Sequence, residues 1–125
     1  MPKTRGQLEA EIGDAIVKFE LEYMGRGPEE VRTYIIDDLV LVRLRGVLTP
    51  AERQLAGVDG TSHGRALIKE TRRELIEKAR PLLEAIIRDV TGQTVRSLHT
   101  DISTRIGERI IVFSLAGPVL PPVDA

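Results

Sequence analysis

An eight-residue block, LVLVRLRG from Leu39 to Gly46, returns near the other end of the chain as IIVFSLAG from Ile110 to Gly117. Two shorter matches keep the same order: Ala15-Ile16-Val17-Lys18 with Ala85-Ile86-Ile87-Arg88, and Val31-Arg32-Thr33 with Val95-Arg96-Ser97. This doubling constrains the fold more than any composition does. Each copy reads as helix, strand, strand, and one copy alone would leave an apolar face uncovered.

The local signals agree with that reading. Thr4 and Gln7 have capping-box spacing, and Leu8, Ile12, Ile16, Phe19 and Tyr23 follow as one apolar stripe, so the first helix is predicted from about Arg5 to Met24. Its opposite face, with Glu9, Glu11, Lys18, Glu20 and Glu22, is expected to be solvated. Gly25, Gly27 and Pro28 end it. The run from Val31 to Gly46 is a hairpin turning at Asp37 and Asp38, because it is dense in branched residues and aspartates favour tight turns. On its second strand Val40, Val42 and Leu44 share one face, while Leu39, Leu41, Arg43 and Arg45 share the other. Thr49, Pro50 and Glu52 open a short helix. A long helix then runs from about Gly64 to Thr91, with a stripe from Ile68 through Thr71, Leu75, Ala79, Leu82 and Ile86 to Val90; Ile76, Leu83 and Ile87 widen it, and Pro81 predicts a kink. Val95 to Ser103 and Glu108 to Leu115 form the second hairpin.

The expected fold is therefore α+β in two layers: a four-stranded antiparallel sheet with helices packed on one face, in the order α-β-β-α-α-β-β. One domain over residues 1–115 is expected, because 125 residues provide for one core. Residues 116–125 form a proline-rich tail, expected to be disordered or laid on the surface. Apolar residues on both faces of the second and fourth strands suggest that a second copy covers part of the sheet, as a homodimer.

Composition then narrows the chemistry. The absence of cysteine removes disulfides, thiolate metal clusters and cysteine nucleophiles. No apolar run approaches the roughly 18 residues of a membrane span, and no signal-peptide pattern opens the chain. A net charge of -1 provides no general attraction for nucleic acid. The densest polar set is SLHTDIS, where Ser97, His99, Asp101 and Ser103 fall on one strand face. As a catalytic triad it is rejected, since same-face backbones lie about 7 Å apart and no glycine elbow presents the serine. As a metal site it does better, with His99 and Asp101 as ligands and Asp37, the counterpart of Asp101 in the repeat, as a third. The plainer alternative is that all three are ordinary strand and turn residues.

Two glycine loops bear on nucleic-acid and phosphate binding. GVDG at Gly57 to Gly60 resembles the GxxG loop of KH nucleic-acid-binding domains, and part of the element order is also that of one KH type. Asp59 would face phosphate with the wrong charge, and four aromatic residues leave no stacking platform. GRGP at Gly25 to Pro28 leaves a helix C-terminus, whereas phosphate loops enter a helix N-terminus. Arg26, Arg43 and Arg45 remain as a candidate basic patch for an acidic partner or an anionic membrane surface.

The stretches YMGRGPEEVRTYIIDDLVLVRLRGVLTPAE, LHTDIST and GERIIVFSL carry a family resemblance. From about Thr4 to Leu115 the chain resembles the MpsC-like family of small bacterial proteins, named for a Na+-translocating membrane potential-generating system. The resemblance implies association with a membrane-embedded ion translocator and carries over no catalytic residue. The resulting expectation is a cytoplasmic, non-catalytic accessory or regulatory protein without a cofactor, peripheral at the membrane through a membrane-complex partner. The alternatives are a small metal- or ligand-binding protein or enzyme using His99 and Asp101, and a KH-like module.

Overall fold

The cap signals place the helices as expected. The structure, a computed structural model, describes residues 3–57 and 63–119. Helix α1 (Arg5–Met24) starts at a complete capping box, with Thr4 Oγ1 accepting from the Gln7 amide and the Gln7 side chain accepting from the Thr4 amide; it stops at Gly25, which is left-handed at φ 85°. Strands β1 (Glu30–Ile36) and β2 (Leu39–Arg45) follow, then α2 (Pro50–Gly57), α3 (His63–Thr91), β3 (Val95–Ser103) and β4 (Glu108–Leu115). Thr49 and Glu52 form the second capping box ahead of α2. Of the loop that resembles a KH GxxG turn, Gly57 to Gly60, residues 58–60, with Asp59, lie outside the described residues.

The four strands form one open antiparallel sheet in the order β1-β2-β4-β3. Its two hairpins meet at β2 and β4, where Leu41 pairs with Val112. Aligning Leu39–Gly46 with Ile110–Gly117 makes those two residues counterparts, so the repeat closes on itself about a local twofold at that pair. Three rows of side chains cross the inner face: Ile35–Val40–Phe113–Leu98, Thr33–Val42–Ile111–Thr100, and Val31–Leu44–Arg109–Ile102. Helices α1 and α3 contact each other and the outer strands β1 and β3. With Leu8, Ile12, Ile16 and Phe19 from α1, and Ile68, Ile76, Ala79, Leu83 and Ile87 from α3, these rows make one apolar core.

Two sequence expectations change. The buried stripe of α3 runs through Ile68, Arg72, Ile76, Ala79, Leu83 and Ile87, while Thr71 and Leu82 are exposed; the helix is rotated by about one position from the predicted face. Pro81 lies on the exposed side of α3, inside the helix that runs from His63 to Thr91. The chain after β4 is also held down. Ala116 N donates to Thr94 O (2.9 Å), Val119 N donates to Asp37 O (3.1 Å), and Val119 is buried in the core. Residues 116–119 are thus docked, and residues 120–125 lie outside the described residues.

Pro81 supplies no amide to the helical ladder and is not used by the core. Pro81→Ala is expected to stabilise the fold by about 1–3 kcal/mol, read as a higher urea midpoint with an unchanged slope. A lower midpoint would show that the proline fits a local geometry the helix requires.

Candidate functional site

Among the described residues, no helix lies on the outer face of the sheet. Its residues form four rows: Ile36–Leu39–Ser114–Ser97, Tyr34–Leu41–Val112–His99, Arg32–Arg43–Ile110–Asp101, and Glu30–Arg45–Glu108–Ser103. The first two rows are mainly apolar, with Ile36 54% exposed, Tyr34 41% and Leu39 36%. The last two are mainly ionic. Apolar side chains grouped on an uncovered sheet face are characteristic of an interaction surface.

The six residues singled out from the sequence divide on this surface. Arg43 donates to Glu108 at 2.6 Å, and Arg45 approaches Glu108 (3.6 Å) and Glu30 (3.7 Å), so the two arginines belong to an alternating ion network rather than a basic patch. The hydrogen bond from Arg43 holds the Glu108 carboxyl below its ordinary pKa. Arg26 stands apart from that network: it bonds Gly46 O and Glu29 and so ties the loop after α1 to the end of β2. His99 and Asp101 share the outer face of β3, as predicted from their spacing. Asp37 does not join them. It sits in the β1–β2 turn one residue beyond the row of Ser97, about 16 Å from the row of Asp101 along the strand direction. Its backbone is left-handed (φ 53°) and its carbonyl holds Val119, so it serves the turn and the docked chain end. Among the described residues, no three His, Cys, Asp or Glu side chains are grouped as metal ligands.

Backbone spacing also understated what side chains on one strand can reach. Ser97 Oγ and His99 Nε2 lie 3.2 Å apart. Asp101 does not extend the pair into a relay, because its Oδ1 accepts from the Ile102 amide (2.8 Å) and meets Lys69 Nζ (3.5 Å).

The feature that sequence reasoning missed lies on the inner face. Glu20 of α1, expected in solvent, is fully buried, as are Arg72 of α3 and Arg109 of β4. Arg72 makes two hydrogen bonds to Glu52 of α2 (3.0 and 2.7 Å) and one to Val47 O (2.9 Å). Arg109 donates to Thr100 Oγ1 (2.8 Å). Among the described residues, both Glu20 oxygens, Arg72 Nη1 and Arg109 Nε have no hydrogen-bond partner. Burial pushes the Glu20 pKa up, and the charges of Arg109 and Arg72 offset only part of that. Burial lowers the pKa of Arg109, with Glu20 opposing. At Glu52 burial acts to raise the pKa, but the Arg72 and Thr49 hydrogen bonds outweigh it and the net shift is downward. The signal was present in the periodicity. Glu20 follows Ile16 by four residues, Arg72 lies midway between Ile68 and Ile76, and Arg109 alternates with Ile111 and Phe113. Each is a charge at a core position.

Arg72 and Arg109 also line a cleft of about 350 Å3 between α3 and β3. A wider cleft, about 800 Å3, lies beside it and is lined by Arg53 and Gly57 of α2, Arg65 of α3 and the 104–107 turn.

A family model described as the Na+-translocating membrane potential-generating system (MpsC) matches residues 4–117. An uncharacterised protein of Bacillus subtilis (strain 168), YbcI, is 44% identical over 115 residues, covering 92% of this chain and 90% of the relative. No solved structure matches. The chain belongs to the MpsC family. No helix among the described residues is long and apolar enough to cross a membrane.

The buried charges lead to two measurable outcomes. A raised folded-state pKa means that the contribution of Glu20 to stability is fully present below the ordinary carboxylate range and is lost as pH rises through the folded value. Glu20→Gln, which cannot ionise, is therefore expected to gain Tm relative to the parent protein as pH is raised from 4 to 8; a difference independent of pH would contradict the raised value. Arg72→Met leaves Glu52 without its guanidinium partner and the Val47 carbonyl without its donor, and is expected to cost about 3 kcal/mol in urea unfolding.

Proposed function

Taking membership of the MpsC family as the premise, we propose that the chain is a non-catalytic accessory or regulatory component of a Na+-translocating membrane system, cytoplasmic and held at the membrane by protein contacts. The observation that carries this reading is the uncovered sheet face, where Ile36, Leu39, Tyr34, Leu41 and Val112 form an apolar field bordered by the Arg43–Glu108 network. An apolar field provides affinity through surface removed from water, and a charged border favours one docking orientation. Neither feature requires chemistry at the site. The Ser97–His99 pair is open to solvent and lacks a third member, which fits contact better than catalysis.

The same face could be covered by a second copy in a homodimer, and the test separates the two occupants. Membranes from a native host are washed in high salt and crosslinked, with Ile36→Lys/Leu39→Lys alongside the parent chain. The proposal expects retention on washed membranes, crosslinks to an integral membrane protein, and loss of both in the doubly substituted chain, whose Tm is unchanged because both side chains are exposed. A chain that stays wholly in the soluble fraction without such crosslinks overturns it. A dimer that the double substitution splits while membrane retention persists assigns the face to self-association instead.

A further inference from the structure

The sheet has two free edges, and they are finished differently. At β1, Glu9 of α1 reaches over and accepts the Ile35 amide at 2.8 Å, so a helix carboxylate occupies an edge donor. Leu98 stands at the other end of the same inner row, on β3. There the facing helix supplies cations. One wall of the 350 Å3 cleft is the continuous run Leu98 to Ile102 of β3, and the other is α3, with Lys69, Arg73 and Arg80. In an antiparallel sheet, alternate residues direct their amide and carbonyl toward the neighbouring strand and the residues between direct them away. The Ile102 amide is taken by Asp101 Oδ1, so it points away from β4, and the same parity turns the backbone groups of Thr100 and Leu98 to the open edge.

We propose that this cleft receives an extended acidic segment of a partner protein, which adds as a fifth strand along Leu98–Thr100, short of the Ile102 amide that Asp101 occupies, while its acidic side chains meet α3. Lys69, Arg73 and Arg80 of α3 line the cleft, with the buried Arg72 and Arg109 behind them, against Glu77 and Asp101. The spacing also suits a strand: Lys69 and Arg73 are one helical turn apart, about 6 Å along the axis, close to the roughly 6.6 Å between same-side residues of an extended chain. Present ion pairs of the rim, Arg73 with Glu70, Arg80 with Glu77, and Lys69 with Asp101 across the mouth of the cleft, are exposed and weakly held. Exchanging them for the carboxylates of an incoming strand costs little. Main-chain pairing supplies affinity in such an addition, and the charged wall supplies selectivity. The edge is a separate surface from the outer sheet face, so this inference does not depend on the membrane-system reading.

The test uses the full chain and a fluorescein-labelled peptide of alternating valine and glutamate, with two control peptides: one with lysine in place of glutamate and one N-methylated on the pairing edge. Fluorescence anisotropy is expected to show binding of the acidic peptide, weakened at least about tenfold by lysine replacement, by N-methylation, and by Arg73→Glu/Arg80→Glu in the protein. Hydrogen exchange at Leu98 and Thr100 is expected to slow in the complex. Equal binding of the N-methylated peptide would reduce the site to general anion attraction and overturn the proposal, as would no binding at low salt. Slow exchange at both amides in the free protein, together with a dimer on gel filtration, would assign the edge to a second copy and overturn it as well.

Discussion

The antiparallel pairing of β2 with β4 is the contact on which the rest depends. Either half of the chain, a helix and a hairpin, has too little apolar surface to hide from water. Joining the hairpins at Leu41 and Val112 makes one sheet with a single continuous inner face, and brings α1 and α3 side by side over it. The same join decides what is left over. A sheet with two long helices on one face retains an uncovered opposite face, and an open sheet retains two edges. The candidate surfaces of this protein are those remainders.

Inside the core, one end of the inner face is ionic. Glu20, Arg72 and Arg109 come from α1, α3 and β4, and Glu52 from α2 closes onto Arg72. Burying such groups is costly, and the unpartnered Glu20 carboxylate shows that the cost is not fully offset. Their arrangement has a specific structural effect: the Arg72 fork fixes α2 and the Val47 carbonyl against α3, which a nonpolar contact would do without orientation. Two of the same arginines form part of the α3–β3 cleft, so the groups that orient the elements also make that cleft basic.

Much of this was legible in the residues. Both capping boxes, the left-handed Gly25, the Asp37 turn and the hairpin spans appear as local chemistry requires, since each is set by a few neighbouring residues. The family was legible too, through three long stretches of sequence. Reading failed where the answer lay between distant segments. The face of α3 was misjudged by about one position because Leu82 and Leu75 extend the apolar arc, and only packing against β3 decides which part of it turns inward. Glu20 was assigned to solvent because glutamate usually is, although its spacing from Ile16 placed it on the stripe. Asp37 was paired with Asp101 by repeat position, but twofold-related residues sit at opposite ends of the sheet unless they lie on the axis.

The sequence by itself determined the elements, their order, the doubled unit and the family, because caps, turns and periodicity are written within a few residues of where they act. Only the tertiary structure decided the register across β2 and β4, the burial of the two arginines with Glu20, the edge of β3 left open at Leu98 and Thr100, and the docking of Val119. Those outcomes depend on which strand lies beside which and how each helix is rotated, and such relations arise from contacts between segments far apart in the chain.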